Sequence, residues 1–159
     1  MNLNIPIDAI PINAGAPATT NGGITGSYLS LSNALRAWLV VQLTQAVGFA
    51  EVISLTQATN VAGAGVKAGP SSKVWANEDV VASDAWVRKP DGAAYTTLAD
   101  VKNKLVIIEV DPLAFDAVND FYVAGWTASN SSQATDIASA LWFVQPRYPQ
   151  AANISAVVN

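Results

Sequence analysis

The chain contains neither cysteine nor histidine. Without cysteine there is no disulfide, no thiolate nucleophile and no cysteine-based metal site. Without histidine the commonest general base and the commonest transition-metal ligand are both missing. Ser-His-Asp and Cys-His arrangements cannot be assembled from this chain alone. No enzymatic activity and no catalytic residue are therefore expected. Charge is also scarce: 13% of the 159 residues are charged, against about a quarter in an ordinary domain. The net charge is −4, and the eight basic residues are scattered, with only Arg88-Lys89 and Lys102/Lys104 close together. Non-specific nucleic-acid binding needs clustered Lys and Arg to displace counterions, so nucleic acid is not an expected partner. The longest apolar run falls far short of the roughly 20 residues of a membrane helix, so no membrane partner is expected. No basic region leads into a continuous apolar segment at the N-terminus, so no signal peptide is expected and synthesis in a cytoplasm is.

What the chain does have is apolar and neutral side chains: 51% of its residues are apolar. At this length one domain with a real core is expected. With so few charges, much of its surface must be Ser, Thr, Asn, Gln, Ala and Gly. Such a surface suits packing against other proteins, because interface cores are depleted in charge.

Residues 104–129 organise the rest. Leu105-Val106-Ile107-Ile108 is a β-branched apolar run, too short for a typical helix, and it reads as a buried strand. Asp111-Pro112 stops it, because proline has no N–H for a ladder and restricts the residue before it. Residues 113–119 can make a short helical turn, and residues 121–127 read as an aromatic strand.

Residues 1–26 stand apart, with three prolines, four glycines and one charged side chain, Asp8. Pro6, Pro11 and Pro17 forbid a regular helix, and Asn21-Gly22-Gly23 marks a turn. Leu3, Ile5, Ile7, Ile10 and Ile12 make this segment more apolar than a linker. An isolated extended segment cannot bury such side chains on itself, so an arm is expected that lies on the domain or on a neighbouring subunit. Residues 27–148 form the expected domain and residues 149–159 an uncharged tail. Within the domain, residues 28–31, 33–45, 51–58, 72–76, 86–89, 94–97 and 137–145 read as strands. In 33–45, Leu39, Val41 and Leu43 share one face, and Trp38, Val40 and Gln42 the other. Pro90-Asp91-Gly92 reads as a turn and residues 98–103 as one helical turn. Eight to ten short strands, punctuated by Gly, Pro and Asn, point to an all-β sandwich, jelly-roll-like or Ig-like.

Two acidic groups are the only candidates for chemistry. Glu109, Asp111, Asp116 and Asp120 bracket the loop after the central run, and Asn77, Glu78, Asp79 and Asp84 form the other. Paired carboxylates run glycoside hydrolysis and several oxygens hold calcium. Asp111 before proline and Asp120 before an aromatic strand nonetheless read as turn-forming and capping residues. Five tryptophans are many for this length. Alternation puts Trp38 and Trp142 opposite the more aliphatic faces of their strands, so each is expected to be half-exposed or at a subunit contact. Trp is favoured at interfaces, and an exposed Trp is also a stacking platform for sugar.

The segments KVWANEDVVASDAWVRKP, AAYTTLADVKNKLVIIEVDP and ALWFVQPRYPQ, in that order, resemble small virion proteins of tailed double-stranded DNA phages, the head decoration or cement proteins. The resemblance spans roughly residues 27–148. It implies a β-sandwich without a cofactor that binds major capsid protein on the outside of the assembled head and stabilises it. On that reading the protein is a virion component, oligomeric or lattice-bound through copies of itself. Leu3, Ile5, Ile7, Ile10, Ile12, Trp38 and Trp142 are the candidate partner-binding residues. The alternatives are a lectin-like carbohydrate-binding sandwich using Trp38 or Trp142, and a head–tail connector or tail component.

Overall fold

The structure, a computed structural model, describes residues 8–148. Leu3, Ile5, Ile7 and the 149–159 tail lie outside the described residues. The central apolar run forms β10 (Asn103–Val110), in which half-buried and buried residues alternate without a break. Lys104, Val106, Ile108 and Val110 take the buried positions, as the two-residue period of a strand requires. Before it come β1 (Ile10–Thr19), β2 (Ile24–Thr25), β3 (Leu29–Ser30), β4 (Ala34–Thr44), β5 (Val52–Ala58), β6 (Lys67–Ala68), β7 (Ser72–Asn77), β8 (Val87–Gly92) and β9 (Ala94–Thr96). After it come two 3₁₀ turns, Pro112–Ala114 and Ala117–Asn119, then β11 (Val123–Ala128) and β12 (Ile137–Pro146). The described residues contain no helix long and apolar enough to cross a membrane.

The strands form two antiparallel sheets. One runs β1-β12-β4-β10-β7-β8; the other runs β2-β11-β5-β6, with β3 against β11 and β9 against β5. Taking β2 and β3 as one interrupted strand, and setting aside β6 and the β7–β8 pair, eight strands remain. Numbered in chain order, they lie first-eighth-third-sixth in one sheet and second-seventh-fourth-fifth in the other. Successive strands switch sheets, except the fourth and fifth, which pair with each other, in a double Greek key, which is the order of a jelly roll.

Between the sheets lie Leu39, Val41, Leu43, Val74, Val106, Ile108 and Trp142 from the first sheet, and Ile53, Leu55 and Trp126 from the second. The two indoles are almost wholly buried, and each N–H has an acceptor: Trp126 Nε1 donates to the Ala14 carbonyl at 3.0 Å and Trp142 Nε1 to the Ser27 carbonyl at 3.1 Å. A buried indole without such a partner would lose its hydrogen bond to water uncompensated. Small residues make room for the rings. A Cβ on Gly26 would stand 1.8 Å from Trp126 Nε1, so no larger residue fits there without moving the ring.

Three sequence expectations are corrected here. First, residues 10–26 are not an arm. β1 pairs with β12 from Ile10↔Val144 to Thr19↔Ile137, through two irregularities, and Ala14 is fully buried in the core. Pro11 and Pro17 misled because they exclude a helix but not an edge strand, where no ladder donor is needed on the open side. Ile10 and Ile12 sit in register with the inward residues Val144 and Trp142, and Ile12 packs on the core of its own sandwich. Second, Trp142 is not half-exposed: it is fully buried, and Leu141 and Phe143 take the outer face. The neighbouring inward residues on β12, Ala138 and Ala140, are buried in the same core. Third, residues 98–103 contain no helical turn, and β8 runs on through Pro90-Asp91-Gly92 as another edge strand.

Trp142→Ala should lower unfolding free energy by about 3–5 kcal/mol, the usual cost of emptying an aromatic core site. The half-buried Trp38→Ala should cost less, and urea denaturation compares the two. Deleting residues 1–26 removes β1 and uncovers the full length of β12. The truncated chain is expected to lose cooperative unfolding, as followed by near-ultraviolet circular dichroism.

Candidate functional site

The two ends of the sandwich differ in chemistry. At one end, where β10 begins, Lys104 is completely buried. Its Nζ lies 3.2 Å from Glu78 Oε2 and 2.5 Å from Asp100 Oδ1, and donates to the Leu98 carbonyl. Lys102 bridges Asp79 at 3.0 Å and Asp100 at 3.5 Å. The Tyr95 hydroxyl donates to Glu78. The hydrogen bond from Lys102 holds the Asp79 carboxyl below its ordinary value, and that from Lys104 does the same for Asp100. Burial, then the Glu78 carboxylate, push the Tyr95 phenol up. The acidic turn at residues 77–79 is thus paired with lysines, while Asp84 stays exposed.

Beside this network lie two buried carboxylates that sequence reasoning missed, Glu51 and Asp136. Ala46 and Val47 donate their backbone N–H groups to Asp136 Oδ1 at 2.8 and 3.0 Å. Ser129 donates to Glu51 Oε1 at 2.9 Å. Burial pushes the Glu51 carboxyl up; the Ser129 and Thr20 hydroxyls pull it back and the charge of Asp136 adds to the rise. Nothing in the local sequence marks these two, because their burial comes from loops closing over the end of the sandwich.

The acidic loop after β10 is structural. Asp111 accepts from the Leu113 N–H at 3.0 Å and caps the first 3₁₀ turn. Asp116 pairs with Lys67 at 2.5 Å, which draws its carboxyl below the ordinary range, and accepts from Asn119. Asp120 closes the second turn with φ 64°. Among the described residues no three acidic side chains gather to hold a metal ion.

The outer face of the larger sheet, β1-β12-β4-β10-β7-β8, is unusual. One row crosses all six strands: Asn13, Leu141, Val40, Ile107, Trp75 and Arg88. The next places Pro11, Phe143, Trp38 and Glu109 side by side. A solvated sheet face normally alternates to polar residues. Here the interior positions of both rows are apolar or aromatic, and Leu141 is 43% exposed. A shallow groove of about 390 Å³ runs between Pro17, Val40, Leu105 and Leu141. Trp38 therefore lies on a candidate contact face, whereas Trp142 and Ile12 serve the core and Ile10 shares their inward register. At the far end of the same face, beside the first 3₁₀ turn, a deeper cleft of about 430 Å³ is lined by Arg36, Trp38, Lys73, Asp91, Glu109 and Asp111, among others.

The strand order defines a jelly-roll β-sandwich, and its distinguishing surface is this apolar sheet face with the Trp38 cleft at its end. No protein-family model and no curated protein matches the chain. Among solved structures it is similar to the SPBc2 prophage-derived protein YomS, at 12% identity and a TM-score of 0.46, over 90% of this chain and 99% of that one.

Lys104→Met leaves Glu78 and Asp100 without their buried counter-ion and should cost about 3–5 kcal/mol in denaturant titrations. The pH response carries two opposite signs. Asp79 and Asp100 stabilise the fold above the ordinary aspartate value of 3.8, and that contribution is lost as pH falls through their lower folded-state values. Glu51 binds its proton more tightly when folded, so its ionisation opposes folding as pH rises past the ordinary value of 4.5. Glu51→Gln should therefore raise the melting temperature at neutral pH, and the gain should vanish below the ordinary glutamate range.

Proposed function

We propose that this chain is a non-enzymatic structural protein of a phage particle, which sits on the capsid exterior, binds major capsid protein and neighbouring copies of itself, and stabilises the shell. The observation that carries the reading is the apolar outer face of the larger sheet. Val40, Ile107, Trp75, Leu141 and Phe143 lie in contiguous rows there, and a free monomer gains nothing from such a patch. The resemblance of residues 27–148 to head decoration proteins points the same way. So does the shortage of charge, since a neutral exterior is cheaply desolvated at an interface. Repeated weak contacts on a lattice add up through effective concentration, so no single contact has to be strong.

The test is the copy number and position of the protein on purified particles, by calibrated gel and low-resolution imaging. Many copies spread over the shell are expected. A ring of few copies at one vertex would assign it to the connector or tail, and absence from particles would overturn the virion reading. A Val40→Lys/Leu141→Lys variant should keep its far-ultraviolet spectrum and lose occupancy on heads.

A further inference from the structure

We propose that the cleft beside Trp38 is a binding site for a neutral saccharide. Its volume, about 430 Å³, falls within the roughly 300–1,000 Å³ of small-molecule sites. Trp38 is held there by strand register, between Phe143 on β12 and Glu109 on β10, and is only half-buried. A fixed indole offers an electron-rich face to the C–H groups of a pyranose ring. The polar groups around it suit vicinal hydroxyls. Arg36, on the same strand, makes no ion pair or hydrogen bond with the described protein, so its planar fork of donors is free. Asp111 uses Oδ1 to cap the 3₁₀ turn, which leaves Oδ2 as an acceptor. Lys73 and Glu109 hold one another at 3.3 Å, and Asp91 is paired with Arg88, so these walls are set before any ligand arrives.

The charge balance selects among ligands. Two basic residues, Arg36 and Lys73, face three acidic ones, Asp91, Glu109 and Asp111, which leaves one excess negative charge. That balance disfavours phosphates and polyanions and admits an uncharged polyol. Trp142, the other candidate platform, is sealed in the core and takes no part. This inference does not rest on the capsid reading and is tested apart from it.

The experiment is a calorimetric titration of the full chain with soluble malto-, cello-, chito- and galacto-oligosaccharides, alongside an acidic oligogalacturonate. At least one neutral series should bind saturably. Trp38→Ala, Arg36→Gln and Asp111→Asn should each weaken that binding by about tenfold or more. Because Arg36 and Asp111 are exposed, their variants should melt with the wild type, which separates lost binding from lost fold. Binding by none of the neutral series, tighter binding of the oligogalacturonate, or equal binding by Arg36→Gln and Asp111→Asn would overturn the proposal.

Discussion

The structure depends on a reciprocal tie between its two sheets. Trp126 belongs to the smaller sheet and donates its indole N–H to Ala14 on β1 of the larger one. Trp142 belongs to the larger sheet and donates to Ser27, in the segment between β2 and β3 of the smaller one. The same crossing is pinned along the backbone, where Gly26 donates to Trp126 at 3.0 Å and Ser27 to Ala14 at 2.7 Å. Each ring thus fills core volume and fixes where the opposite sheet's chain must pass. That double demand explains the glycine at 26, where a Cβ would collide with the Trp126 ring.

Much of the architecture was legible in the chain. The alternation in residues 34–44 and 103–110 marks strands and their inward faces, because one side of each is packed and the other is not. The capping roles of Asp111 and Asp120 could be read from their neighbours, since capping is a local interaction. Pairing across the sandwich could not. Whether a proline-rich segment is an arm or an edge strand depends on a partner more than a hundred residues away, as β1 and β12 show. Trp142 was read on the wrong face because its alternation has two equally regular phases, and only the facing sheet decides between them. Lys104 was invisible for a similar reason. Its stem lies on the inward face of β10, and the carboxylates that make burial tolerable come from two loops.

The buried titratable groups of the sandwich gather at one end. Lys104, Glu51 and Asp136 lie where β10 begins, with Glu51 Oε2 and Asp136 Oδ2 buried without a hydrogen-bond partner. The outer face of the larger sheet holds aromatic and aliphatic side chains that water touches, Leu141 among them.

The larger sheet also has proline on both of its boundary strands, Pro11 and Pro17 on β1 and Pro90 on β8. Each removes a main-chain donor from an edge that would otherwise template another strand. A sheet guarded on both flanks does not readily lengthen by hydrogen-bonding to its neighbours. Contact between this sheet and any neighbour is then left to its apolar face, because neither edge offers a full row of main-chain donors.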